Sequence, residues 1–299
     1  MCGIYGITER NEKIIKSIIK KCSHRGPDGS DIFVRDNITL GHNLLSITSK
    51  PNEGKQPWVS ESGNVLVYNG EIFNYNDLVD IYKDKFLPKT TCDTELLSWL
   101  FDNISYEKVI STLIDSMHSI AWYNNSNNEL ILSRDHAGIK PLYFAFIKSG
   151  IIFCSEIKGL LPYVENSNKI DRHSLACTSL LGVNVLRQTI FKGIYKVLPG
   201  ETIVYNIDQK KIKKSFRSFV KPLSNKKFNI DDFLENTSLA IKNSTIGMRK
   251  FGVFLSGGID SSVVAYELSK TLKKISSFTN IMDPNEIING EDHNSDANI

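Results

Sequence analysis

The spacing of apolar positions changes several times along the chain. Residues 2–7 read as a strand, and Ile14, Ile15, Ile18 and Ile19 then recur at i, i+1, i+4 and i+5, the stripe of an amphipathic helix. HRGPDGS, residues 24–30, is a Gly/Pro/Asp loop. Short strands are predicted at 31–34, 38–40 and 64–68, followed by helices at 76–85 and 93–104. In the second of these helices Leu96, Leu97, Leu100, Phe101 and Ile104 share one face, and Asp93 or Thr94 can cap the start. From Ser119 the pattern returns to strands, in SIAWYN, ELILSRD, PLYFAFI and IIFCS, with a last strand at 201–207. Two runs of strands flanked by helices predict layers of sheet and helix, an α+β sandwich.

The pattern then breaks. Residues 208–227 hold eight Lys or Arg and read as a solvated basic linker rather than a binding patch, so a domain boundary is placed there. Beyond it come a helix at 230–246, a strand at 252–255, the loop SGGIDSS, a helix at 261–272 and a strand at 276–281. That alternation opens a parallel α/β sheet. The expected organisation is a first domain at 2–207, the linker at 208–227 and an incomplete second domain at 228–299 that ends in the polar EDHNSDANI. A parallel sheet begun with two strands cannot cover both of its faces.

Composition narrows the class. The 299 residues carry 36 basic and 33 acidic side chains, a net charge of +3, which gives nucleic-acid binding no support. Aromatic residues at 10% and regular apolar runs supply the burial that a disordered chain lacks. Cys2, Cys22, Cys92, Cys154 and Cys177 show no CxxC spacing and no paired His ligands, so neither a metal site nor a disulfide framework is expected. The N-terminus is unlike a secretory signal, and no run approaches the ~18 apolar residues of a membrane helix. The expectation is a soluble cytoplasmic protein in a reducing compartment.

Candidate chemistry begins at Cys2. Removal of the initiator Met would leave a thiol and a free α-amino group on one residue, a nucleophile with a built-in base. An α-amino pKa of about 7.7–8.0 leaves an appreciable neutral fraction at cellular pH. The bland alternative is a small buried residue opening a strand. Further along, MCGIYGI, HRGPDG, VYNGEIFNY, CDTELL, SRDHAGIKPLYF and CSEIKGLLP occur in this order. Together they resemble the class II glutamine amidotransferases, which are N-terminal nucleophile (Ntn) hydrolases, and specifically the glutamine-hydrolysing asparagine synthetases. The resemblance is dense over residues 2–206 and implies a four-layer αββα Ntn-hydrolase sandwich.

By that resemblance Cys2 would attack the side-chain amide of L-glutamine, releasing ammonia and leaving a γ-glutamyl thioester for water to hydrolyse. Asn69 and Gly70 would form the oxyanion hole, and Asn-Gly between apolar runs also reads as a hairpin turn. Glu71 and Asp93 supply carboxylates. In the family the residue matching Asp93 binds the substrate ammonium, a role compatible with an N-cap. Residues Leu44, Leu45, Ser46, Ile47 and Thr48 fall in the segment that lines the glutamine site.

In the second half, GVFLSGGIDSSVVA resembles the PP-loop of ATP pyrophosphatases, the opening of an α/β adenine-nucleotide domain, with Leu255, Ser256, Gly257, Gly258, Asp260, Ser261 and Ser262 at the matching positions. A strand, a Ser/Gly loop and a helix start would converge on a bound anion. The implied whole-protein reaction activates L-aspartate with ATP and Mg²⁺ and amidates it with the released ammonia, in asparagine biosynthesis. A homodimer is one option for assembly, and neither nucleic acid nor membrane is an expected partner.

Two departures from the family pattern stand out. Leu44 occupies the position of the arginine that clamps the glutamine α-carboxylate, so another cation, Arg25 among the candidates, would have to replace it. Ser116-Met117-His118-Ser119 differs from the glycine, methionine and aromatic or small residues usual there. Two alternatives stay open: the same architecture with a different carboxylate acceptor, or a degenerate glutaminase-fold module that binds or regulates.

Overall fold

The computed structural model describes residues 1–113, 115–218, 227–245, 247, 250–272 and 274–281. The chain forms two compact units, residues 1–222 and 223–299.

The first unit opens with β1 (Gly3–Ile7), α1 (Glu12–Lys21), β2 (Gly29–Arg35), β3 (Ile38–Leu44), β4 (Trp58–Val59) and β5 (Val65–Ile72). Helices α2 (Tyr75–Tyr82), α3 (Asp93–Asn103) and α4 (Tyr106–Thr112) follow. Then come β6 (Ser116–Asn124), β7 (Glu129–Arg134), β8 (Tyr143–Ile147), β9 (Gly150–Cys154), the short α5 (Ile157–Leu160) and α6 (Arg172–Leu181). Strands β10 (Ile194–Lys196), β11 (Glu201–Asn206) and β12 (Lys211–Arg217) complete the unit. Local chemistry sets several of these boundaries. Asn11 caps α1 by accepting from the Ile14 amide at 3.2 Å, and Lys20 and Lys21 complement the negative end of its dipole.

The strands build two six-stranded antiparallel sheets, ordered β10-β8-β9-β1-β3-β2 and β12-β11-β7-β6-β5-β4. Their inner faces meet in one core that joins Ile4, Leu40 and Phe153 of the first sheet to Val67, Ala121 and Leu132 of the second. Alternate residues serve the outer faces. Tyr5, Ile7 and Ile152 pack under Ile15 and Ile18 of α1 and Leu160 of α5, while Leu66, Tyr68 and Trp122 pack under Leu96, Leu97 and Leu100 of α3. The result is the four-layer αββα sandwich, and it explains why β1, β5 and β7 read as nearly continuous apolar runs: both faces are buried.

Two local expectations change. Asn69-Gly70 lies inside β5, paired with Ser119 and His118 of β6, and is not a hairpin turn. The burial of both faces of β5 carries the strand through the glycine to Ile72. The basic run also carries structure, since residues 211–217 form β12, an edge strand whose lysines point to solvent while its backbone extends the ladder from β11.

The second unit contains α7 (Ile230–Asn243), β13 (Gly252–Phe254), α8 (Ile259–Thr271) and β14 (Ser276–Phe278). Asn229 caps α7 through the Asp231 amide at 2.8 Å. Strands β13 and β14 pair in parallel, Gly252 opposite Ser276. Within this unit Phe254 and Phe278 are exposed. The polar segment 291–299 lies outside the described residues.

Candidate active site

The antiparallel pairing of β1 with β3 sets Gly3 opposite Asn43, so residue 2 reaches the chain just after β3. There the Leu45 amide donates to Cys2 Sγ at 3.3 Å, and the thiol lies 3.5 Å from the Leu45 carbonyl oxygen. Arg25 fixes the same terminus from behind. Its Nε donates to the Cys2 carbonyl at 2.9 Å and its Nη1 to Glu156 at 3.0 Å, with the guanidinium buried. The segment after β3 is itself tied down, because the Ser46 amide donates to Asp28 at 2.8 Å.

Strand β5 brings Asn69 and Glu71, two residues apart and therefore on one face, to this terminus. Asn69 is buried, and its Nδ2 donor has no hydrogen-bond partner among the described residues. Gly70 is required by space: a Cβ there would collide with the Met117 carbonyl and the Tyr68 ring. Asp93, the first residue of α3, accepts from Tyr68 Oη at 3.0 Å and from the Ile72 amide at 3.3 Å. Gln56 braces these elements, accepting from the Tyr68 amide at 2.6 Å and donating to Thr94 Oγ1 at 3.2 Å.

The residues that the family resemblance assigns to the glutamine site line one cavity: Cys2, Leu44, Leu45, Ser46, Ile47, Thr48, Asn69, Gly70, Glu71 and Asp93. Gln56, Tyr68, Cys92, Thr94, Met117 and Lys140 also line it and carried no such signal on their own. Leu44 contributes an apolar, buried wall. Arg25 is not among the lining residues, and its two bonds turn it toward Cys2 O and Glu156.

The electrostatics are those of two carboxyl groups confined out of water. Burial, reinforced by Asp93, pushes Glu71 up to about 8, and burial pushes Asp93 up to about 6 against the donors that favour its charge. Burial also raises the Cys2 thiol, opposed by the Leu45 amide and by nearby positive charge. It lowers the Met1 amine. A sulfur nucleophile, an unpartnered amide donor and a pair of carboxyl groups thus face one space, the parts needed to bind an ammonium-bearing amide and attack its carbonyl.

The second unit presents its Ser/Gly loop at the start of α8. Gly257 has φ +86°, a left-handed conformation suited to glycine. Ser261 Oγ contacts Ser256 Oγ at 3.1 Å and donates to the Gly258 carbonyl at 3.0 Å. Ser256 and Ser261 hydroxyls, glycine backbone and the positive end of α8 therefore meet at one exposed place, while Asp260 and Ser262 lie in the first turn and Leu255 leads out of β13.

A cysteine next to the N-terminus, facing a cavity of an αββα sandwich, is the arrangement of the Ntn-hydrolase amidotransferases. A solved structure with this fold, the glutamine phosphoribosylpyrophosphate amidotransferase from B. subtilis, aligns with TM-score 0.52 at 18% identity over 95% of this chain and 67% of that one.

A glutamine amidotransferase domain family model matches residues 1–217 and an asparagine synthase family model matches residues 232–297. The chain belongs to the glutamine amidotransferase domain family. It is 30% identical to the glutamine-hydrolysing asparagine synthetase 1 of Bacillus subtilis, over 92% of this chain and 45% of that protein. It is 27% identical to asparagine synthetase B of Escherichia coli, over 89% and 44%. The chain thus spans about half the length of the curated relatives it matches. Among the described residues no helix is long and apolar enough to cross a membrane, and no group of three or more His, Cys, Asp or Glu is placed to hold a metal ion.

Proposed function

We propose that the first unit hydrolyses the side-chain amide of L-glutamine with Cys2 as nucleophile. The observation that carries this reading is the convergence, in one cavity, of the Cys2 sulfur with the buried, unpartnered Asn69 Nδ2. Once Met1 is removed, the freed amine of Cys2 takes the thiol proton as sulfur attacks the amide carbon. The carbonyl oxygen becomes an oxyanion that the Asn69 amide and the Gly70 N–H receive. The amine then protonates the departing nitrogen, ammonia leaves, and a γ-glutamyl thioester remains for water to cleave into glutamate. Glu71 and Asp93, both buried, hold the substrate's α-ammonium. Asn69 fits the oxyanion role because its donor is already desolvated and waits without a partner, so little reorganisation accompanies the rise in charge.

In the whole protein this ammonia serves an amidation. The asparagine synthase match and the loop at α8 support L-aspartate as acceptor and ATP as co-substrate, with Mg²⁺ accompanying the nucleotide. Ser256, Gly257, Gly258, Asp260, Ser261 and Ser262 would receive its phosphates. The cytoplasm is the proposed compartment.

The test is ammonia release from L-glutamine by the protein and by Cys2→Ala. The proposal expects release to vanish in the variant. Equal rates would leave only a binding or regulatory module. Leu44 gives that second reading its one specific support, since an apolar leucine stands where the family arginine would clamp the substrate carboxylate.

A further inference from the structure

Lys140 lies at the end of a turn that the chain holds with unusual density. Arg134 donates to three carbonyls around it, Gly138 at 2.6 Å, Lys140 at 2.7 Å and Val197 at 2.9 Å. The buried Asp135 accepts from the Ile139 amide at 2.8 Å and the Lys140 amide at 2.9 Å. Gly138, at φ +68°, makes the turn. This scaffold delivers the Lys140 side chain, 6% exposed, into the cavity that holds Cys2 and Glu71. Its ammonium has no direct hydrogen bond or close ion pair among the described residues, so its charge rests on longer-range partners, and a buried charge left without them would be costly. Lys140 is the one lysine or arginine among the residues lining that cavity.

We propose that Lys140 is the electrostatic partner of the Cys2 sulfur: its ammonium favours the thiolate and keeps the neighbouring terminal amine neutral, so that the amine can accept the thiol proton. The inference rests on the glutaminase reading for its purpose, but the charge relationship is a property of the cavity. Each group that faces the pair has a definite sign. Burial works most strongly against the Lys140 charge and Arg25 adds to that, while the Cys2 sulfur, Glu71 and Asp135 favour it. Around Cys2, burial and Asp93 oppose the thiolate, while the Leu45 amide, Lys140 and, when charged, the Met1 amine favour it. Lys140 acts through Cys2 and is a positioning residue in the electrostatic sense. No proton moves to or from it in the reaction.

The experiment measures alkylation of Cys2 by iodoacetamide as a function of pH in the full chain, resolved from the other cysteines by peptide mapping. It compares the protein with Lys140→Met and Lys140→Arg. Removing the cation is expected to raise the midpoint by about one pH unit, which slows alkylation about tenfold below the midpoint, and arginine is expected to restore the original profile. Lys140→Gln replaces the methionine variant if that variant fails to fold. An unmoved midpoint overturns the inference. So does an unmoved midpoint accompanied by a higher KM for L-glutamine, which would make Lys140 a substrate-carboxylate group instead. Ammonia release by the parent protein, measured in parallel, separates the two claims: its absence sinks the glutaminase reading while the alkylation profile still decides the role of Lys140.

Discussion

Leu45 meets Cys2 through backbone alone: its amide donates to Sγ at 3.3 Å and its carbonyl lies 3.5 Å from the same sulfur. A thiol held by main chain keeps its orientation whatever side chain stands at 45. The neighbouring Ser46 amide, bonded to Asp28 at 2.8 Å, holds that stretch in place. Precision at residue 2 therefore comes from β1, β3 and the turn beyond them, with Arg25 holding the Cys2 carbonyl at 2.9 Å.

Asn69→Ala removes a buried donor that has no hydrogen-bond partner among the described residues. The glutaminase kcat is expected to fall by about 10²–10³ with KM nearly unchanged, measured as ammonia release. Thermal stability should hold or rise slightly, because a buried unsatisfied donor disappears. A loss of stability with kcat intact would contradict the oxyanion role.

Leu44→Arg restores a cation to the wall of the cavity. A charge-assisted pair with the α-carboxylate is worth about 1.5–3 kcal/mol, so KM for L-glutamine should fall at least about tenfold. Steady-state kinetics check this, and an unchanged KM would show that the carboxylate is held elsewhere.

Gly70→Ala should be poorly tolerated. The added methyl meets the Met117 carbonyl and the Tyr68 ring inside the β5–β6 ladder. Overpacking of this kind costs about 1–3 kcal/mol, read as a Tm lowered by several degrees and accompanied by loss of glutaminase activity from a displaced backbone donor.

Glu71 predicts a pH signature with a definite sign. Its folded-state pKa of about 8 lies above the ordinary carboxylate value, so the folded state holds a proton that the unfolded chain has released. The stability it contributes is complete below its ordinary value of 4.5 and is lost as pH rises to about 8. Glu71→Gln should therefore flatten the fall of Tm across that window, measured by thermal melts. The same carboxylate binds an ammonium only when ionised, so KM for L-glutamine should decrease as pH rises through the window in the parent and vary less in the variant.

Much of this was legible in the residues. The layered architecture followed from the alternation of strands with amphipathic stripes, and the residues expected around glutamine do share one cavity. The Asn-Gly pair shows where local reading stops: its turn propensity is genuine, but burial on both faces of β5 outweighs it. The lysines of 211–217 read as solvated, and they are, yet the backbone beneath them completes a sheet edge. Lys140 lies within SRDHAGIKPLYF, where spacing alone does not mark it, because its place at the cavity comes from a turn that Arg134 and Asp135 fold around it. Gln56 and Cys92 reach the cavity only through long-range packing, which no period along the chain encodes.

The most direct measurement is acid-quenched turnover of L-glutamine followed by peptide mass spectrometry. The account predicts a γ-glutamyl adduct on the peptide bearing Cys2, with the N-terminal methionine absent, and no adduct in Cys2→Ala. An adduct on another cysteine, or turnover that survives the alanine substitution, would contradict it.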